Sequence, residues 1–272
     1  MRAILEEMGS VLVAYSGGVD SSFLAAVAHQ VLGERALAVT AVSPSYPHRE
    51  RAEALAVANE IGIRQMFLET NEVEDPNYAA NASSRCYFCK VELYDRMEEV
   101  ASKEGLRWVA DGFNLDDLMD FRPGHKAGAQ RNVRSPLHEA KMTKADIRSL
   151  SQEMGLSTWD KPAMACLSSR IPYGTPVTAE LLRRIDEAEE YIYNLGLRQF
   201  RVRHHDSIAR IEVSPQDMIL MVDDDVRAKV VAKLHSLGYA YVTLDLVGYR
   251  TGSLNEVLPL ASRPKDSALT LR

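Results

Sequence analysis

Through the first half of the chain, short apolar runs alternate with longer segments of helical period, the signature of βαβ units wound around a parallel sheet. Strands are predicted over residues 11–14, 36–42, 65–69 and 108–113. Helices are predicted over 23–32, ended by Gly33, and over 50–61 and 91–104. Thr143 reads as an N-cap with an acid, Asp146, three residues on, opening a helix that runs to Met154 before Gly155. The expected fold is α/β, a doubly wound parallel sheet. Ligands of such sheets lie beyond the carboxyl ends of the strands, so segments 16–22, 43–48 and 111–117 should converge on one crevice.

The pattern breaks between Asp160 and Gly174, where Lys161-Pro162 and Ile171-Pro172-Tyr173-Gly174 interrupt any regular period. A domain boundary follows, with a first domain over 1–165 and a second over 166–272. Past the boundary, 180–195 reads as a charged amphipathic helix ended by Gly196, and 200–204 and 208–213 as paired strands about Asp206-Ser207. A helix over 226–237, ended by Gly238, and a strand over 241–246 complete a small α+β unit. The tail from Pro259 is expected to be mobile. Trp108 and Trp159 read as packing residues, and His48, His204 and His205 have no spacing that compels a metal.

Composition narrows the class. The 272 residues are 46% hydrophobic, enough for a sizeable core, and the formal net charge of −6 gives no overall attraction to nucleic acid, although a local basic patch stays open. No apolar run of about 18 residues suggests a membrane span, and no basic segment followed by an apolar one suggests a signal peptide. A cytoplasmic protein is expected. Three cysteines, an odd number, argue against a disulfide framework and towards metal or thiol chemistry.

The first predicted strand runs directly into Tyr15-Ser16-Gly17-Gly18-Val19-Asp20-Ser21-Ser22. A strand, a Ser/Gly turn and a helix N-terminus form the arrangement in which backbone N–H groups and the helix dipole hold an anion. Adjacent glycines let the backbone approach an oxyanion, and Ser16, Ser21 and Ser22 add hydroxyl donors. No Gly-Lys-Ser/Thr follows, so the loop is not of the Walker type. It resembles the SGGxDS loop of the ATP pyrophosphatase (PP-loop) superfamily, whose members release AMP and pyrophosphate while adenylating an acceptor oxygen. That resemblance makes Ser16, Gly17, Gly18, Asp20, Ser21 and Ser22 the ATP-contacting set. Gly112, in the Asp-rich segment 111–117, falls where adenine, ribose or magnesium contacts are expected; an ordinary Asp turn is the competing reading.

Cys86-Tyr87-Phe88-Cys89 is a CxxC pair, and Cys166 lies far downstream. The residues by themselves leave open a redox dithiol, a zinc site completed by His125 or His138, direct sulfur donation, inert thiols, and a cubane cluster with three thiolate-bound irons and one open iron. An open iron can carry hydrosulfide. The cluster reading requires Cys166 to fold back beside the pair.

The segments Ala163-Met164-Ala165-Cys166-Leu167-Ser168-Ser169-Arg170-Ile171-Pro172-Tyr173-Gly174, Asp120-Phe121-Arg122-Pro123-Gly124 and Arg201-Val202-Arg203-His204 resemble the LarE family, and the likeness spans almost the whole chain. Those enzymes are sulfur transferases that convert the carboxylates of pyridinium-3,5-biscarboxylic acid mononucleotide to thiocarboxylates, for the nickel-pincer nucleotide of lactate racemase. Some members carry only the equivalent of Cys166 and sacrifice its sulfur, leaving dehydroalanine. The additional Cys86 and Cys89 resemble the branch that holds a [4Fe-4S] cluster. The resemblance implies ATP and Mg2+ as co-reactants, a homo-oligomer, and a C-terminal domain for substrate binding and assembly; it leaves the sulfide source unnamed.

Adenylation gives an otherwise unreactive carboxylate a good leaving group, with magnesium and the Ser-Gly-Gly loop stabilising the pyrophosphate as it departs. A sulfur nucleophile then displaces AMP. The substrate's phosphate and carboxylates call for cations, and Arg170, Arg201 and Arg203 are the expected ones; the family resemblance implies Glu189 and Glu212 as acidic partners in that region. Arg201 and Arg203 share a strand face; the bland alternative is a solvated Arg–Glu212 pairing. Lys90, beside the CxxC pair, is expected either to favour thiolate or to orient an anion, or to be a surface lysine. Two other functions stay open: a cluster-containing PP-loop tRNA thiolase, which calls for a basic RNA-binding surface, and a non-catalytic nucleotide-binding or iron-sensing protein.

Overall fold

The structure, a computed structural model, describes residues 1–119, 124–250 and 252–257, with the side chains of Met119, His125 and Val257 also outside the description. Segment 120–123, the tail from Pro259 and the side chain of His125 therefore lie outside the described residues. The chain divides into two compact units, one formed by Met1–Tyr78 with Ser83–Met164 and the other by Ala79–Ala82 with Ala165–Arg272.

In the first unit the order is α1 (Arg2–Met8), β1 (Val11–Ala14), α2 (Val19–Leu32), β2 (Ala36–Val42), α3 (His48–Ile61) and β3 (Arg64–Glu69). A short α4 (Pro76–Ala79) leads to α5 (Arg85–Lys103), β4 (Trp108–Ala110), α6 (Gly124–Gln130), α7 (Pro136–Glu139) and α8 (Lys144–Glu153). The four strands pair in parallel in the order β3-β2-β1-β4. Alternation along β1 explains why both faces are covered. Val11 and Val13 point into a core with Leu5, Leu24, Ala54, Ala58 and Ile147, from α1, α2, α3 and α8. Leu12, between them, joins Leu37 and Val109 of the neighbouring strands and Tyr94, Met97 and Ala127 of the opposite layer, α5 and α6. The sheet is doubly wound.

Three element ends differ from the sequence reading in ways that matter for chemistry. Helix α2 starts at Val19 with Gly18 as N-cap, so Asp20, Ser21 and Ser22 sit in its first turn. Helix α5 starts at Arg85, placing both Cys86 and Cys89 inside the helix. Strand β4 ends at Ala110, because Asp111 turns the chain by accepting the Phe113 N–H at 3.2 Å and the Ser135 hydroxyl at 2.7 Å. The capping box of α8 forms as expected, with Thr143 and Asp146 exchanging bonds. Trp108 packs against the first core, whereas Trp159 remains 38% exposed.

The second unit contains α9 (Ala179–Asn194), β5 (Phe200–His205), β6 (Ile208–Val213), α10 (Met218–Val222), α11 (Asp224–Ser236) and β7 (Tyr241–Leu244). Strands β5 and β6 are antiparallel and β6 and β7 parallel, in the order β5-β6-β7. Ala188 and Ile192 of α9 pack with Val202, Ile211, Val213, Val230 and Leu234. Residues 79–82 belong here because Asn81 amide N–H groups reach the carbonyls of Pro172 and Thr175, each at 2.8 Å. No helix among the described residues is long and apolar enough to cross a membrane.

Candidate functional site

Gly17 adopts φ +71°, and a Cβ built on it would lie 3.0 Å from both Cα and Cβ of Ala54, so the loop passes α3 at a distance only glycine permits. Ser21 Oγ donates to the Gly18 carbonyl at 3.2 Å and lies 3.1 Å from Ser16 Oγ. The first bond of the α2 ladder runs from Ser22 N–H to Gly18 O at 2.9 Å. The amides before it stand outside the ladder at the positive end of the helix dipole, where a phosphate is stabilised.

Two neighbouring segments close on this loop. The phenol of Tyr46, after β2, donates to Ser16 O at 3.4 Å and Glu50 O at 3.1 Å. Gly112, after β4, passes so near that a Cβ there would meet Ser21 N at 3.1 Å. Segments 16–22, 43–48 and 111–117 do converge. The acids of the last segment already have protein partners: Asp117 accepts from Asn114 N–H at 3.1 Å within the turn, Asp111 from Tyr94 of α5 at 2.7 Å, and Asp116 from Lys144 N–H of α8 at 2.6 Å.

Two lysines grip the loop, and sequence reasoning assigns a role to neither. Lys161 donates to Gly17 O at 3.2 Å, and its ammonium also meets Glu50 at 3.0 Å and Glu53 at 2.9 Å. Burial pushes the Glu50 carboxyl above its ordinary range despite that lysine, whereas the two glutamates hold the Lys161 ammonium above its usual value against burial. Lys144 donates to Asp20 Oδ2, while Asn114 donates to Oδ1 at 3.2 Å. In the sequence, Lys161 marks only a Lys-Pro break and Lys144 only a helix start. Both lie more than a hundred residues from the loop, and spacing carries no signal for such contacts.

Cys86 and Cys89, three residues apart near the start of α5, share one face of that helix; Cys86 is exposed and Cys89 partly so. None of the three cysteines is in a disulfide. Lys90 lies with its ammonium 5.2 Å from the Tyr94 ring centre and its stem against Gly124. His138, one of the zinc candidates, has its ring 5.5 Å from Phe113. Among the described residues no group of three or more His, Cys, Asp or Glu is gathered as a metal site.

In the second unit, Arg170 is 1% exposed and makes a bidentate pair with Glu189, 2.8 Å at Nε and 2.7 Å at Nη2. Its Nη1 donates to the carbonyls of Ala165 at 2.7 Å and Cys166 at 3.0 Å. Arg203 pairs in the same way with Glu212, at 3.0 and 2.9 Å, and donates to Ser169 O at 2.7 Å. This pair is buried, not the solvated strand-face pairing that alternation allowed. Both arginines thus clamp the backbone turn that carries Cys166. Burial pushes Glu189 up, but the Arg170 charge and bonds overcome it, and the carboxyl ends below its ordinary range. Arg201 differs: it donates to Phe200 O at 2.6 Å, lies 5.1 Å from the Tyr249 ring centre, and is pushed down to about 10 by burial and then by the Arg170 charge.

Known proteins agree with this picture. A sequence model of the NAD synthase family matches residues 3–87, the segment holding the loop. The chain is 26% identical to one of the chains that make up the glutamine-hydrolysing GMP synthase of Pyrococcus furiosus, over 74% of this chain and 70% of that one. It is 48% identical to an uncharacterised protein of Synechocystis, over 95% of this chain and 96% of the other. It is 38% identical to pyridinium-3,5-bisthiocarboxylic acid mononucleotide synthase of Lactiplantibacillus plantarum, over 95% of this chain and 94% of that enzyme. With its PP-loop fold and a likeness running nearly end to end, the chain belongs to the LarE family of pyridinium-3,5-bisthiocarboxylic acid mononucleotide synthases.

Proposed function

We propose that this protein adenylates the carboxylates of pyridinium-3,5-biscarboxylic acid mononucleotide with ATP and converts them to thiocarboxylates. The observation that carries the reading is the 38% identity to the Lactiplantibacillus plantarum synthase over 95% of the chain. The loop geometry supports the ATP half: Gly17 and Gly18 admit the polyphosphate, Ser16 and Ser21 offer hydroxyls, and the N-terminus of α2 stabilises the charge of the departing pyrophosphate. The Asp20 carboxylate is a hard oxygen donor suited to Mg2+, which when bound supplies further charge neutralisation.

For the substrate, Arg201 is the proposed anion contact. Burial, and then the charges of Arg170 and Arg203, oppose its own charge even with Glu189 nearby, and a phosphate or carboxylate would offset that cost. Arg170 and Arg203, with Glu189 and Glu212, act as positioning residues for Cys166 and its turn. Lys90 is proposed to orient an anion near the CxxC pair.

The cysteines Cys86 and Cys89, with Cys166 as third ligand, are proposed to hold a [4Fe-4S] cluster; three thiolates suit a cubane and leave one iron open to sulfide. The i, i+3 placement of Cys86 and Cys89 supports their acting as a ligand pair. A second reading has its own support. Arg170 fixes the Cys166 carbonyl, and a cysteine so held suits direct attack on the adenylate, displacing AMP to leave a thioester. Loss of the Cys166 α-proton then breaks its Cβ–S bond, and the sulfur leaves with the product. A cytoplasmic location is part of this proposal. Ile219 and Leu246, exposed at 79% and 87% in the second unit, support assembly with further copies of the chain.

The test is incubation of anaerobically purified protein with ATP, the biscarboxylate mononucleotide and sulfide. Substrate-dependent AMP and pyrophosphate, with a product heavier by one sulfur-for-oxygen exchange, is the expected result; no pyrophosphate with this substrate would sink the reading. About four irons per chain, lost in Cys86→Ala, supports the cluster. A Cys166 that loses one sulfur in every reacted chain selects sacrifice instead.

A further inference from the structure

Asp20 stands in the first turn of α2, beside the loop proposed to hold the polyphosphate. A carboxylate beside a polyphosphate is repelled by it unless a cation lies between them. The structure pairs Asp20 with one such cation. Lys144, the first residue of α8, directs its ammonium to Asp20 Oδ2, and Asn114 holds the other oxygen at 3.2 Å. The backbone of Lys144 is fixed separately, its N–H donating to Asp116 at 2.6 Å, so the side chain can move while its root stays in place. The side chains of Lys144 and Asp20 are 33% and 25% exposed, leaving room for exchange of the partner on Oδ2. Asn114, a neutral donor, keeps the carboxylate oriented during that exchange.

We propose that Lys144 is a built-in counter-cation for Asp20: its ammonium holds Oδ2 when no divalent cation is present and yields that oxygen to Mg2+, so that the two cations compete for one site. The proposal rests on the reading of the loop as the ATP and Mg2+ site. It makes Lys144 a positioning residue with two opposed effects. Metal-free ATP binding depends on it, because it cancels the Asp20 charge. Divalent-cation binding is opposed by it, because the metal must displace it.

The test uses the full chain and its Lys144→Met variant, which keeps the aliphatic stem and removes the charge. Mn2+ affinity is measured by electron paramagnetic resonance of unbound Mn2+, and ATP affinity is measured by calorimetry in EDTA. Lys144→Met is expected to bind Mn2+ about tenfold more tightly and metal-free ATP about tenfold more weakly, the size of one charge-assisted hydrogen bond. Lys144→Arg should restore ATP binding in EDTA. A purely structural lysine would weaken both affinities together. Mn2+ affinity that fails to rise, or ATP binding in EDTA that stays intact, overturns the counter-cation role. Failure of the wild type to bind ATP with or without metal overturns the ATP reading itself, and this proposal with it.

Discussion

Arg170 joins two residues that are distant on the helix and turn of the second unit: Nη1 donates to the Cys166 carbonyl at 3.0 Å while Nε and Nη2 close on the Glu189 carboxylate. Glu189 is fully buried and also accepts the Val202 N–H at 2.9 Å, so the turn carrying Cys166, helix α9 and strand β5 meet at one ion pair. Along α9, Glu189 occupies the same inward stripe as Leu182, Ile185, Ala188 and Ile192. A charge among such residues persists only when paired.

Glu189→Ala should therefore destabilise the second unit by about 3–5 kcal/mol, since it leaves Arg170 buried and uncompensated. Arg170→Lys should fail to rescue, because an ammonium cannot reproduce the bidentate geometry. Cys166→Ser, by contrast, should leave thermal stability nearly unchanged while abolishing sulfur transfer. Melting curves followed by circular dichroism separate the two behaviours, and equal melting temperatures for wild type and Glu189→Ala would contradict the assignment.

Lys161 should matter to ATP rather than to the substrate. Removing it in Lys161→Met frees the Gly17 carbonyl and leaves Glu50 and Glu53 without the cation between them, so the loop loses a fixed point and gains negative charge beside the proposed polyphosphate site. The expected outcome is an ATP KM raised by about tenfold or more, the worth of one charged hydrogen bond, with the KM for the pyridinium nucleotide little changed. A double variant, Lys161→Met with Glu50→Gln, should recover part of the loss. Steady-state pyrophosphate release at varied ATP checks both.

The sheet and the loop were legible because their signals are local. Apolar runs at Val11–Ala14 and Ala36–Val42 mark strands wherever they fall, and Ser16-Gly17-Gly18 announces a turn that only glycine can make. The starts of α2 and α5 were not, because Asp20, Ser21 and Cys86 are weak helix formers that a first turn tolerates. Lys144 on Asp20 and Lys161 on Gly17 are tertiary contacts across 124 and 144 residues, and no pattern encodes them. Arg203 with Glu212 is a diagonal contact, because the register sets Arg201 opposite Glu212 and Arg203 opposite Arg210, and alternation alone could not choose between the two arginines.

Acidification should weaken the second unit. His204 and His205 are both held below the usual 6.5, chiefly by burial. A histidine whose folded pKa is depressed binds its proton more readily when unfolded, so its contribution is present above pH ~6.5 and is lost as pH falls through the lower folded value. Glu189, also depressed, adds a second loss at carboxylate pH. Melting temperature should thus fall in two stages, the first below neutrality. His204→Phe should reduce the first stage to the His205 share and leave the second, and an unchanged slope between pH 7 and 5.5 would remove His204 from the account.

Two glycines near the loop should respond differently to the same substitution. Gly17→Ala imposes a left-handed backbone on an L-residue, costing about 1–2 kcal/mol, and drives its Cβ to 3.0 Å from the Ala54 backbone in α3, which cannot swing away as a side chain could. Gly112 has no left-handed backbone; an added Cβ would instead lie 3.1 Å from Ser21 N and 3.3 Å from Asp20 C, so the first turn of α2 must shift by tenths of an ångström. Gly17→Ala should lower both melting temperature and ATP affinity. Gly112→Ala should cost less stability while still weakening ATP, because the displaced turn is the one that presents Asp20 and the amides proposed to bind phosphate. Calorimetric ATP titration beside thermal melting distinguishes them, and a Gly112→Ala variant with wild-type ATP affinity would show that this close approach does not set the loop.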